Sequence, residues 1–236
     1  MIYTLHIKRQ KSPDSEPYFQ DFTYETEGHV SVASCLKEIN DRSPLKDASG
    51  NTAGMIAFDC GCLKNRCGSC GVIVNGKPGF ACSVFLDSYP SGKITVEPFS
   101  KFPVVRDLIT DKSYIFRKIR EMEIYLEEKN IKSDKENVLR YISSKCLMCG
   151  CCLEVCPNFC ADDNFCGAAG AVQAFRILCS ENNEEHRKAV AGHYADHFYK
   201  GCGGSLSCMD ICPARLNIEE LVSHATAAAV WKKNNR

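Results

Sequence analysis

An α+β chain is predicted, β-rich over residues 1–105 and helical over residues 106–236. Three observations carry that expectation. Apolar residues alternate with period two in the first stretch and recur with a period of about 3.6 beyond Pro103. Asn75-Gly76 stands between two short apolar runs, a strong hairpin signal. Most of the seventeen cysteines gather into three groups, one in the first stretch and two in the second.

The elements follow in order. Residues 3–8 and 19–26 alternate apolar and polar and read as strands separated by a polar, proline-containing turn. Residues 31–39 have helical spacing through Val32, Cys35, Leu36 and Ile39. Residues 72–74 and 79–82 flank the Asn75-Gly76 turn, and 94–96 closes the set before Pro98. A sheet of four or five strands with one crossing helix is a ferredoxin-like β-grasp. Beyond it, Ile115, Ile119, Met122 and Leu126 line one face of a charged helix running to Lys129, a solvated or subunit-facing surface. Ser133-Asp-Lys-Glu136 is a capping box opening a helix through Val138, Leu139 and Ile142. Helices are also expected over 172–178 and 184–197, and from an Asn217 cap to about Trp231.

Composition removes several function classes. Lysine plus arginine equals aspartate plus glutamate at 29 each, so nothing argues for a nucleic-acid partner. No apolar run approaches the roughly 20 residues that span a bilayer. The start alternates like a strand and has no signal-peptide core, so cysteine chemistry in a reducing compartment is expected rather than a disulfide framework.

The cysteine spacing names the chemistry. Cys62-x4-Cys67-x2-Cys70, with Cys82 downstream, is the plant-type spacing of a two-iron, [2Fe–2S] site. Cys60 gives a rival x6 spacing; Cys62 fits the x4 loop. Zinc at Cys67 and Cys70 is disfavoured by that x4 arm and by the hairpin return at Cys82. Gly68 and Gly71 leave room for backbone to approach inorganic sulfide, and Lys64 and Arg66 favour thiolate.

Residues 146–157 contain C-x2-C-x2-C-x3-C-P, the bacterial ferredoxin run, whose fourth cysteine ligates the other cluster. A second C-x3-C-P ends at Cys212-Pro213, with Cys202 ahead of Cys208. By the crossing rule, Cys146, Cys149, Cys152 and Cys212 hold a [4Fe–4S] cluster, while Cys156 joins Cys202 and Cys208. The fourth position of that last set is Ser205, a poor ligand for iron in a sulfide cube, so a [3Fe–4S] cluster is expected. Serine ligation of a fourth iron is the alternative.

With these motifs in this order, the chain resembles the iron–sulfur subunits of the succinate dehydrogenase/fumarate reductase family over essentially its whole length. The likeness rests on 62–70 with Asn75-Gly76 and Ala81-Cys82, on 146–157, on Gly167-Ala-Ala-Gly170 and on 202–213. It implies a plant-ferredoxin-like β-grasp domain followed by a helical bacterial-ferredoxin-like domain. It also implies an FAD-containing flavoprotein partner that handles succinate and fumarate, and a membrane anchor subunit that handles quinone. Electrons would pass between the two, at the cytoplasmic face of the inner membrane. A soluble fumarate reductase with a non-quinone donor and a free multi-cluster ferredoxin carrier are the rival functions.

Two departures stand out. Leu63 and Asn65 replace an arginine and a glycine common in the family, and Ala161 and Gly203 replace a tryptophan and a histidine of one branch's quinone pocket. Quinone binding is therefore not carried onto this chain. Gly150, the run at 67–71 and Gly167-Ala-Ala-Gly170 look more like the branch anchored by a di-haem cytochrome b, so haem b is expected only on the anchor.

Cys35, Cys60, Cys151, Cys160, Cys166 and Cys179 are left over as small buried hydrophobes, with Cys151 a packing or near-cluster residue. His193 and His197 have helical metal-ligand spacing but no third ligand, and Gly201-Cys-Gly-Gly204 lacks the strand and lysine of a phosphate loop. No nucleophile–base pair or dinucleotide fingerprint is present, so this chain is expected to carry no catalytic residue for carbon chemistry.

Overall fold

The computed structural model of the chain describes residues 1–128, 134–161 and 163–231, without the side chains of 134–137. It divides into two compact units, Met1–Asp111 and Lys112–Arg236.

In the first unit, β1 (Ile2–Arg9), β2 (Tyr18–Glu25), β3 (Gly71–Val74), β4 (Lys77–Phe80) and β5 (Lys93–Glu97) form one sheet in the order β2-β1-β5-β3-β4. β1 pairs antiparallel with β2 (Leu5 opposite Phe22) and parallel with β5 (Leu5 opposite Ile94). The period-two pattern turns Tyr3, Leu5 and Ile7 inward together with Phe22, Ile94 and Val96. Asn75 and Gly76 take φ of +46° and +79°, the left-handed pair a tight hairpin requires. Helix α1 (Val32–Asn40) buries Val32, Ala33, Cys35, Leu36 and Ile39, and the Ser31 hydroxyl caps it by accepting from Ser34 N. Its first amides are spent outside the helix: Val32 N donates to Val84 O at 2.8 Å and Ala33 N to Ala81 O at 2.9 Å. The helix start is thus bonded to the segment that carries Cys82.

The unit closes with a small hairpin of β6 (Val104–Arg106) and β7 (Ile109–Thr110), too short to leave a pattern in the sequence. At its turn Asp107 pairs with Arg9, both nearly inaccessible at 2% and 4%. Arg9 Nη2 also donates to Gly54 O and Met55 O, and the Asp107 carboxylate accepts from Ala57 N and Gln10 N.

The second unit is helical: α2 (Ser113–Glu121), α3 (Asp134–Ser143), α4 (Cys151–Glu154), α5 (Gly167–Leu178), α6 (Glu184–Tyr194), α7 (Ser207–Asp210) and α8 (Ile218–Ala229), with a π-helical turn over Ala195–Tyr199. α5 is its axis, buried on all sides except at Arg176. The Asn217 side chain caps α8 as expected.

Corrections to the sequence pattern are local. The helix drawn through Leu126 stops at Glu121, because Glu123 turns left-handed at φ +54° and Ile124 N closes back on Ile119 O. The chain then runs to the buried Glu181 carboxylate, which accepts from Glu127 N and Glu128 N. The helix expected over 184–197 passes into the π turn at Ala195. The cysteine-rich loops of this unit contain the short helices α4 and α7. The capping box expected at 133–136 falls on residue 133, outside the described residues, and on side chains that are not described. Among the described residues, no helix is long and apolar enough to cross a membrane.

Gly167 opens α5 at φ +57°, and a Cβ there would run into the Leu153 side chain on α4. Gly167→Ala is expected to cost about 1–2 kcal/mol for the backbone and about 1–3 kcal/mol for overpacking. A thermal melt of the whole chain that matches the wild type would refute this.

Candidate metal centres

In the first unit two clamps deliver the chain to its cysteine loop. The Asn40 amide exchanges two 2.8 Å hydrogen bonds with the backbone of Ile56, and the Arg9–Asp107 pair grips residues 54–57 from the other side. Beyond Ala57 the chain wraps a set of sulfurs. Leu63, Asn65 and Gly68 are left-handed at φ +51°, +58° and +77°, which turns successive amides inward. Lys64 N and Arg66 N donate to Cys62 Sγ at 3.4 and 3.2 Å, Asn65 N to Cys82 Sγ at 3.3 Å, and Cys62 N to Cys67 Sγ at 3.4 Å. Ser69 Oγ lies 3.1 Å from Cys67 Sγ. Cys70 and Cys82 are buried at the sheet end, and Cys60 is exposed.

This loop makes the choice between Cys60 and Cys62 testable. Cys62→Ala is expected to abolish the electron paramagnetic resonance of a reduced two-iron centre, and Cys60→Ala to preserve it. The reverse result sinks the x4 assignment.

In the second unit the cysteines surround two cavities. One is lined by Cys146, Cys149, Cys152 and Cys212; its remaining wall is apolar, including Leu147, Met148, Val172 and Leu216. The other is lined by Cys156, Cys202 and Cys208 with Ser205, Phe165 and Phe198. The crossing is visible in both: each cavity takes its last cysteine from the other motif's neighbourhood. Ala168 and Ile218 line both cavities, so a single layer of side chains divides them.

The electrostatics suit a metal cluster better than bare thiols. Burial pushes Cys70 up to about 12, raises Cys146 and Cys208, and lifts Cys152 far above the usual thiol range. Two thiols move the other way: the Ser69 hydrogen bond brings Cys67 to about 6, and contact with Cys151 brings Cys149 to about 7. A buried thiolate without a partner is costly, and iron replacing the proton removes that cost. Soft donors around an apolar space are the ligand chemistry of iron–sulfur clusters. Among the described residues, no three His, Cys, Asp or Glu side chains close around a point the size of one ion. The donors present fit a cluster.

Cys151, read from the sequence as a packing or near-cluster residue, is fully buried and holds the Cys149 thiol low. Sequence reasoning missed Gln173, nearly buried inside the apolar α5, which counters the burial that raises Cys146. A lone glutamine among Gly167–Leu178 was the available signal.

Comparison with known proteins agrees with this chemistry. Residues 4–117 match the model of a 2Fe-2S iron-sulfur cluster binding domain. The chain is 32% identical to the succinate dehydrogenase iron-sulfur subunit of Bacillus subtilis, covering 88% of this chain and 84% of that one. It is 26% identical to the fumarate reductase iron-sulfur subunit of Wolinella succinogenes, over 91% and 90%. Among solved structures, a chain of the Mycobacterium smegmatis Sdh1 complex superposes with a TM-score of 0.79 at 20% identity, covering 98% of this chain and 97% of that one.

Proposed function

The chain belongs to the family of succinate dehydrogenase and fumarate reductase iron–sulfur subunits, and from that premise we propose the identity of its clusters, its partners and its place in the cell. It is an electron-transfer subunit of an oxidoreductase complex. Cys62, Cys67, Cys70 and Cys82 hold a [2Fe–2S] cluster in a plant-ferredoxin-like β-grasp domain over residues 1–105. Cys146, Cys149, Cys152 and Cys212 hold a [4Fe–4S] cluster, and Cys156, Cys202 and Cys208 a [3Fe–4S] cluster, in a bacterial-ferredoxin-like domain over residues 106–236.

The observation that carries this reading is the gathering of the two crossed cysteine sets around separate cavities. The clusters supply reversible one-electron chemistry. The chain's own residues do the rest. Amides of 62, 64, 65 and 66 hold the first loop's sulfurs in place by hydrogen bonds. The aliphatic wall around Cys146, Cys149, Cys152 and Cys212 excludes water, and Ala168 and Ile218 keep the second unit's two sites apart.

Within the complex, the chain passes electrons between the FAD of a flavoprotein subunit and quinone at a membrane anchor of the cytochrome b type. It sits peripherally on the cytoplasmic face of the inner membrane, held by that anchor. Anaerobically prepared protein is expected to contain roughly nine irons per chain, the sum of two-, four- and three-iron clusters. By itself it should turn over neither succinate nor fumarate. About four irons in total, or turnover by the isolated chain, overturns the reading.

A further inference from the structure

Away from the cysteines, the second unit buries a carboxylate and an imidazole together. Glu181 and His186 flank the turn into α6, with side chains 0% and 4% exposed. The Glu181 carboxylate accepts from Glu127 N at 2.8 Å, Glu128 N at 3.0 Å and Asn183 N at 2.9 Å. His186 Nδ1 lies 3.1 Å from Glu181 Oε2, and Nε2 lies 3.0 Å from the carbonyl oxygen of Glu123. The Tyr125 ring stacks on the imidazole with centroids 4.5 Å apart. Asn182 N donates to Glu128 O and Asn183 Nδ2 to Glu127 Oε2. Residues 123–128 are thus strapped to the start of α6.

These partners fix the charge of the ring. A carbonyl and a carboxylate only accept, so both ring nitrogens must donate, and only the imidazolium carries two N–H groups. Glu181 cannot supply the second hydrogen, because three amides aimed at its oxygens hold it as the anion. Burial raises its pKa, but the amides of Glu127 and Asn183 and the His186 ring outweigh burial and bring it to about 2. Burial also works against a charged His186. The bonds to Glu181 and to Glu123 O, with the nearby Glu127 carboxylate, overcome that and raise its pKa above the ordinary value. On α6 itself, Glu184 pairs with Lys188, while Glu185 and Arg187 are the ring's chain neighbours. Arg140 of α3 reaches Ser180, next to Glu181. Of the elements packed on α6, α5 brings Arg176, α8 brings Glu219, Glu220 and His224, and the π turn brings Asp196 and His197. The ring's own hydrogen bonds go to Glu181 and Glu123.

We propose that His186 is a pH-sensitive latch, whose imidazolium pins residues 123–128 to the start of α6 and whose deprotonation releases them. A neutral ring keeps one N–H, and the carboxylate holds it on Nδ1, so Nε2 then sets a lone pair against Glu123 O. Glu123 is the residue that turns left-handed at φ +54°, a conformation that persists only while its surroundings hold it. The hold is complete below about 6.5, the pKa of a solvated imidazole, and is lost as pH rises through the higher folded value. What is released lies beside the chemistry. Ile124, Tyr125 and Leu126 wall an open cleft together with Met148, and Met148 also lines the cavity of Cys146.

The test is hydrogen exchange of the whole chain, read by mass spectrometry and corrected for the intrinsic pH dependence of amide exchange. Between about pH 6 and about pH 9, protection of the amides of 123–128 should fall about tenfold, the loss of one charge-assisted hydrogen bond. Over the same range α5 and α8 should keep their protection. His186→Gln cannot titrate and should show the loosened level at both ends of the range. Exchange at the imidazole C2 carbon gives a second reading on the unaltered protein, and should place the His186 titration above that of a solvated imidazole. Wild-type protection that ignores pH, an equal loss in His186→Gln, or a His186 titration below the solvated value overturns the inference. So does a loss shared by every helix of the unit, since nothing local would then have been released.

Discussion

Ser205→Cys is expected to add one iron per chain, roughly ten in place of nine, and to abolish the three-iron resonance of the oxidised protein. Ser205 lines the same cavity as Cys156, Cys202 and Cys208. Its backbone is flanked by left-handed residues just as that of Cys149 is, so a cysteine there would inherit the backbone setting of the proposed ligand Cys149. A thiolate is the donor iron prefers, and the hydroxyl it replaces is not. The extra iron and thiolate change the cluster's net charge, and the potential of the centre should fall. Activity with artificial acceptors should largely survive while quinone-linked turnover drops. An unaltered spectrum in the variant, or no three-iron signal in the oxidised wild type, means that this centre has been put in the wrong place.

Asp107→Ala should be the most damaging single change in the first unit. Arg9 Nε lies 2.9 Å from Asp107 Oδ1, although off the line of its N–H, and Nη2 reaches Oδ2 at 3.1 Å. Removing the carboxylate leaves a buried guanidinium without its counter-charge and strips Ala57 N and Gln10 N of their acceptor. Breaking a buried pair in this way costs about 3–5 kcal/mol, a large part of a small domain's stability. The clamp sits immediately before the cysteine loop, so the two-iron absorbance should be lost at lower denaturant than in the wild type. Asp107→Asn keeps the shape without the charge and should fall between the two. Equal midpoints for Asp107→Ala and wild type would show that the pair contributes nothing.

Much of this was legible in the sequence, and the limits have physical causes. Strand alternation put Tyr3, Leu5 and Ile7 on the buried face, and Asn75-Gly76 placed its hairpin, because both signals are local. Motif spacing alone grouped Cys212 with Cys146, Cys149 and Cys152, and those residues line one cavity. Long-range polar pairing left no such trace. Arg9 occupies the inward register after Ile7, which hints at a buried partner but cannot name Asp107, 98 residues away. The end of α2 escaped as well: Ile124 and Leu126 continue a helical spacing that Glu123 breaks by turning left-handed, a conformation to which nothing in a glutamate points. The one-turn helices α4 and α7 are too short for a period to register.

The crossed supply of cysteines also sets a timetable. During synthesis the nascent chain has its whole first set of sulfurs once residue 82 has left the ribosome, with the strands that flank them already made. The second unit has no such early moment. The cavity begun by Cys146 waits for Cys212 to close its wall, and the one that uses Cys156 waits for Cys208. Neither motif can finish a site alone, so iron delivered before translation has passed both would meet half-built rims of competing thiols. With the ligand sets proposed above, cluster insertion in the second unit waits for residue 212, whereas the first loop has its sulfurs more than a hundred residues sooner.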